Sequence, residues 1–185
     1  MTLVYAQRGF ESIGELLNIA DEFSEHITSL TVSEIVEASL EGNIAGQGGA
    51  RFSSRIKEML GSQVENNIQP HFKDMNQLVE FISKNSHDLR GVGHGYCTKA
   101  KDCKVKNVTD PSHCIYCDGY IATPRHLTYW KAIKLNCEDK IKKIESAPES
   151  VREKLDSFSM VIKSNLEAAR IVINQLEPSS QVDQA

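Results

Sequence analysis

Residues 123–150 read TPRHLTYWKAIKLNCEDKIKKIESAPES, and the fold class turns on this stretch. Thr123 offers a capping hydroxyl, and Pro124 takes the first helical position, where its missing N–H costs nothing. A long helix through Leu127, Trp130, Ile133, Leu135, Ile141 and Ile144 is expected until Ala147-Pro148 breaks it. From Glu149 a second helix runs through Leu155, Phe158, Val161, Ile162, Leu166, Ile173 and Leu176. So short a break folds the two helices back on each other, which predicts a long antiparallel helical hairpin over 123–177. The polar residues 178–185 read as a disordered tail.

Toward the N-terminus the same periodicity recurs. Phe10, Ile13, Leu16, Leu17, Ala20, Phe23 and Ile27 recur at helical spacing and mark one apolar stripe. Ser33 reads as the cap of a second helix through Ile35, Val36 and Leu40, ended by Gly42 in a left-handed turn. Gly46, Gly48 and Gly49 predict a flexible link. A third helix through Phe52, Ile56, Met59 and Leu60 stops near Gly61, and a fourth starts at Asp74, with Gln77 completing a capping box. Leu78, Val79, Phe81 and Ile82 form its buried side. The fold class is therefore mainly α: several short helices in a linker region over 9–90, a small cysteine-rich knuckle over 91–122, then the hairpin.

Between Gly91 and Asp118 the periodicity vanishes and glycine, lysine and cysteine dominate, so apolar burial alone is not expected to order this segment. Cys97, Cys103, Cys114 and Cys117 follow the spacing C-x5-C-x10-C-x2-C. A C-x-x-C pair lets two thiolates reach one ion from a tight turn, and four thiolates make a closed tetrahedral zinc site that supplies folding free energy. Four cysteines are the first expectation; a Cys3His site is the alternative, because His94 and His113 are close enough in sequence to replace one cysteine. An iron–sulfur cluster would take the same thiolates. Reduced cysteines packed as small apolar side chains are the bland alternative, and a thioredoxin-like redox pair would need an α/β pattern that is absent. Cys137 sits mid-helix as an ordinary thiol.

The 185 residues, 40% of them apolar, can bury a core as one domain or two small ones. No stretch approaches the roughly 20 apolar residues of a membrane span, and a secretory leader is not seen. The chain therefore reads as cytoplasmic, with no membrane partner and no small-molecule substrate. Clustered cysteines in that compartment bind metal more often than they form disulfides. The net charge of −4 conceals a division: residues 1–83 carry 5 basic and 12 acidic side chains, residues 84–145 carry 12 and 7, and residues 146–185 carry 4 and 6. The only basic block surrounds the cysteines. It predicts weak, electrostatic DNA contact through Lys99, Lys101, Lys104, Lys106 and Arg125, against the plain alternative of a solvated face.

Gly95-Tyr96-Cys97, then Cys114-x-x-Cys117-Asp118, then Ala122-Thr123-Pro124-Arg125-His126-Leu127 with Trp130, in that order, resemble the C-terminal extension of phage- and transposon-type tyrosine recombinases (site-specific integrases). Thr2-Leu3-Val4-Tyr5-Ala6 is similar to the segment around the catalytic tyrosine of such enzymes, and Leu40-Glu41-Gly42-Asn43 with the glycines to Gly49 is similar to the linker after it. The resemblance covers residues 1 to about 145 and implies that residues 1–8 are the remnant of a catalytic domain with Tyr5 as nucleophile. It also implies structural zinc and contacts to DNA and to other recombinase subunits. The family clamps its anionic transition state with arginines, a lysine and histidines, which would lie upstream of Tyr5; Arg51, Arg55 and Arg90 stand in the wrong order to replace them. The expectation is a C-terminal fragment that acts in DNA recombination and integration and is inactive alone. The alternative is a stand-alone zinc-containing interaction module with no recombination role.

Overall fold

The computed structural model describes residues 24, 26–60, 72, 74–86, 88–99, 101–103 and 111–177, and these are mainly helical. Helix α1 covers 26–41 and ends at Gly42, whose φ of 77° is the left-handed turn expected there. It passes through Ser33 unbroken, so Ser33 is no cap; its hydroxyl turns to Glu37 at 3.2 Å. Val32, Ile35 and Val36 are buried on both sides of Ser33, and burial of a continuous stripe outweighs a local capping preference. The stripe from Phe10 to Phe23 lies outside the described residues.

Helix α2 (Gln47–Met59) begins where a flexible link is expected, with Gly48 and Gly49 buried inside it. A Cβ on Gly48 would stand 2.7 Å from the Tyr120 carbonyl oxygen, and one on Gly46 would stand 2.7 Å from the Tyr120 ring. The glycines therefore let two backbones touch instead of letting the chain move. Gly46, at φ 90°, also donates its N–H to Gln175 Oε1 at 2.9 Å. Helix α3 (Met75–Asn85) is capped as the sequence predicts, Asp74 accepting the Gln77 N–H at 2.9 Å. Its buried side is narrower than expected: Leu78 is enclosed, whereas Phe81 is exposed and leans on Phe72. Val32, Val36, Ile56 and Leu78 form the core shared by these three helices.

A small antiparallel sheet follows, in the order β1 (Arg90–Val92), β2 (Gly95–Cys97) and β3 (Tyr120–Ile121). The bridge between Ala45 and Ala122 ties it to the loop before α2. Strands this short show no alternation in sequence, which is why only a knuckle is expected there. Tyr96 and Ile115 of this polar segment are buried, as are Tyr120, Ile121 and Ala122 just after it, against Ile35 of α1 and Ala168, Ala169 and Val172 of the hairpin.

The hairpin stands where the sequence places it. A 3-10 turn over Pro124–His126 leads into α4 (Leu127–Glu145); after the break at Pro148 come α5 (Glu149–Arg152), a 3-10 turn (Glu153–Leu155) and α6 (Asp156–Leu176). Helices α4 and α6 pack antiparallel along Trp130, Ile133, Cys137, Ile141 and Ile144 on one side and Ile162, Leu166, Ala169 and Leu176 on the other. These spacings of three and four make a coiled-coil-like seam. Leu135, Phe158 and Val161, expected in the stripe, are instead 67%, 51% and 47% exposed. Cys137 takes the seam position, and burial raises its thiol pKa. Lys131 reaches Glu177 at 2.7 Å across the open end. Among the described residues no helix is long and apolar enough to cross a membrane.

Candidate metal centre

The strand register, two turns and a short connection place the cysteines. Cys97 closes β2 opposite Tyr120, and the next residue, Thr98, donates its N–H to the Gly119 carbonyl at 2.9 Å. Cys114 lies in a 3-10 turn over Pro111–Tyr116. The Cys117 N–H donates to the Cys114 carbonyl at 2.9 Å, and the Tyr120 N–H donates to the Cys117 carbonyl at 3.0 Å. The C-x-x-C is therefore a tight turn running straight into β3, and it arrives at the same end of the sheet as Cys97. Cys103 follows a turn closed by the Asp102 N–H on the Lys99 carbonyl at 3.1 Å. All four thiols are half-buried and none forms a disulfide. Thiolates suit zinc, and the register brings Cys97 and the Cys114–Cys117 turn to one end of the sheet. Among the described residues, however, no three His, Cys, Asp or Glu side chains are gathered as a metal-binding group.

His94 lies in the turn between β1 and β2 and is 1% exposed. Its ring stacks on Tyr120 at 5.6 Å between centroids and meets Tyr129 at 6.0 Å and the edge of Trp130 at 5.9 Å. Its carbonyl oxygen accepts both the Tyr120 hydroxyl and the Trp130 indole N–H, the latter at 2.9 Å. Nε2 is buried without a hydrogen-bond partner. Burial, with a smaller contribution from His126, lowers its pKa to about 4. His113 is on the 3-10 turn beside Cys114, its Nδ1 3.5 Å from the Ser112 hydroxyl.

A polar cluster that the sequence did not reveal joins α1 to this centre. Glu34 accepts the Thr123 hydroxyl at 2.5 Å and the Tyr96 hydroxyl at 3.0 Å, and meets Arg125 at 3.4 Å. His126 Nδ1 accepts the Thr123 N–H at 3.2 Å, and the His126 ring stands edge-on to Tyr96 at 4.8 Å. Desolvation first, then the Glu34 carboxylate, raises the Tyr96 pKa to about 12. Burial lowers that of His126, with Glu34 opposing. Nothing local marks Glu34, since its partners lie 62 to 91 residues away.

The basic residues are engaged where they are described. Lys99 pairs with Asp118 at 2.7 Å, Lys101 with Asp88 at 2.8 Å and Arg125 with Glu34. Such exposed pairs are weak, so a phosphate can compete for the cations. Lys104, Lys106 and Tyr5 lie outside the described residues, as does the tail over 178–185. The chain matches no family model, no curated protein and no solved structure.

Proposed function

We propose that this chain is the C-terminal part of a tyrosine recombinase of mobile elements. In this reading a zinc-ordered helical module supplies DNA or subunit contacts in recombination and integration. One observation supports it above others: the pieces of sequence that carry the resemblance lie far apart in the chain yet meet around Tyr120. Gly46 and Gly48 touch its backbone, Cys97 is its register partner, Cys117 accepts its N–H, and Trp130 and Tyr120 share the His94 carbonyl. Zinc would be held by Cys97, Cys103, Cys114 and Cys117, closing a structural site with no open catalytic position. Tyr5 would be the nucleophile, with its cationic clamp supplied by the rest of the recombinase. Without that clamp a phenol is unactivated, because preorganised charge is commonly the largest catalytic contribution. The setting is the cytoplasm and the partners are DNA and other recombinase subunits.

The test incubates a nicked suicide substrate carrying the element's end sequence with the chain, alone and with an upstream catalytic piece in trans. Covalent adduct is expected only in the second mixture and only with Tyr5 intact, so Tyr5→Phe abolishes it. Adduct from the chain alone, or none in either mixture, overturns the reading. Elemental analysis is expected to give about one zinc per chain, falling to near zero in Cys114→Ser/Cys117→Ser; full retention sinks the zinc assignment. The second reading, a stand-alone zinc-containing interaction module, is favoured by the exposed Leu135, Phe158, Met160 and Val161 of the hairpin. An upstream reading frame in phase that encodes the missing arginines separates the two.

A further inference from the structure

Helix α6 carries two seams. Ile162, Leu166, Ala169 and Leu176 pack with α4. Beside them Phe158, Val161, Asn165, Ala168, Val172 and Gln175 repeat at spacings of 3, 4, 3, 4 and 3, a second stripe of coiled-coil period. The later half of this second seam is already an interface. Ala168 and Val172 are fully buried in one cluster with Ala45 and Ile115, and Gln175 Oε1 accepts the Gly46 N–H at 2.9 Å. The earlier half is vacant: Phe158 and Val161 are exposed, as are Ser157 and Ser164 beside them. Asn165 stands at the boundary, its Oδ1 buried without a hydrogen-bond partner. The four charged residues of α6, Asp156, Lys163, Glu167 and Arg170, fall at spacings of 7, 4 and 3 on another face. The vacant half-seam itself therefore offers no ionic partner to DNA or to a charged protein surface.

We infer that two copies of this chain pair through these vacant half-seams, antiparallel about a two-fold axis at Val161. Such an interface needs a patch complementary to itself. Antiparallel pairing about Val161 sets Phe158 against Ser164, a large side chain against a small one. It also sets Asn165, with its orphaned acceptor, against the hydroxyl of Ser157. The stripe carries no charge, so it meets its own copy without repulsion. A single Asn in an otherwise apolar seam restricts both the register and the number of helices that join. The contact ends at Ala168, where the chain's own junction takes over the seam. It spans about two helical turns and belongs to the small, weak and reversible class of interfaces. The inference goes beyond the proposed function and holds under either reading of it, because zinc and Tyr5 play no part in the contact.

Sedimentation velocity of the full chain over a range of concentrations tests the pairing. The mass is expected to rise from one chain to two and no further. Val161→Lys, which sets two cations together on the axis, weakens pairing at least about tenfold. Leu135→Lys, at a still more exposed apolar position outside the seam, leaves it unchanged. Phe158→Lys and Ser164→Glu each weaken pairing, and the double variant restores it at low salt, because the two positions face each other across the axis. All the substituted positions are exposed, and circular dichroism checks that the helices are kept. A chain that stays monomeric at every concentration, a Leu135→Lys variant that dissociates as Val161→Lys does, or a double variant no better than its single parents overturns the inference. Each of these outcomes leaves the zinc and adduct results standing.

Discussion

Along the hairpin, residues that touch across the seam belong to two stripes joined by one short break: Cys137 meets Ile162 and Leu166, and Ile141 and Ile144 pack beside them. In the sheet region the partners come from everywhere. Tyr120 is met by Gly46 just before α2, Gly48 from α2, Gly95 from β2, the His94 carbonyl from a turn and Trp130 from α4. The hairpin is a local structure that periodicity can specify, whereas the sheet region is a junction whose order depends on other elements arriving. Damage to the junction should therefore spread, and damage confined to the seam should not.

The largest effect is expected where the regions share a residue. Trp130 is fully buried, packs with α6 and donates to the His94 carbonyl. Trp130→Ala should cost about 3–5 kcal/mol in chemical denaturation, with amide-exchange protection falling in both regions. Loss of protection in the hairpin alone would break the idea of a junction.

Acid should act next, and mainly on the junction. The folded pKa of His94 is about 4, below the ordinary 6.5, so the unfolded chain takes up the proton first. Its contribution is then fully present above about pH 6.5 and is lost as pH falls toward 4. The lowered pKa of His126 acts in the same direction. Between pH 7 and pH 5 the loss through His94 is about 2 kcal/mol. His94→Phe, which keeps the ring and removes the orphaned nitrogen, should flatten the slope; a slope unchanged in that variant refutes the assignment.

A smaller effect sharpens the contrast. In Gly48→Ala the new methyl would press on the Tyr120 carbonyl at 2.7 Å and the Asp118 carbonyl at 2.9 Å. Overpacking costs about 1–3 kcal/mol, and the gain in helix propensity returns up to about 1 kcal/mol, so a net loss of about 1–2 kcal/mol is expected. Exchange should rise over 90–122 and stay unchanged over 149–176. A stabilised protein would mean that the sheet moves freely away from α2.

What could be read in the sequence follows the same division. Asp74, Gly42, the Thr123-Pro124 start and the Pro148 break are signals that act within a turn of themselves, and each was legible. Ser33 carried a similar signal and misled, because the stripe through Val32 and Val36 continues past it. Leu135, Phe158 and Val161 fit the expected stripes of the hairpin by being apolar, but the seam runs through Cys137, Ile162 and Leu166 and leaves them exposed. Gly46 and Gly48, at the start of α2, read as a flexible link because the atom they make room for, the Tyr120 carbonyl oxygen, is more than 70 residues away. For the cysteines the spacing foretold the turn at Cys114–Cys117, and only the register of β2 on β3 places Cys97 beside it.

Trp130 is the chain's one tryptophan, and its indole N–H ends on the carbonyl of a turn belonging to the sheet. The molecule thus carries a built-in optical gauge of its own assembly. While the sheet is docked the indole sits in a dry, hydrogen-bonded setting and emits toward the blue; once the turn lifts away, water reaches the ring and the emission moves to the red. Because the hairpin's own seam can persist through that change, far-ultraviolet dichroism and tryptophan colour should part company along a denaturation curve, with the colour changing first.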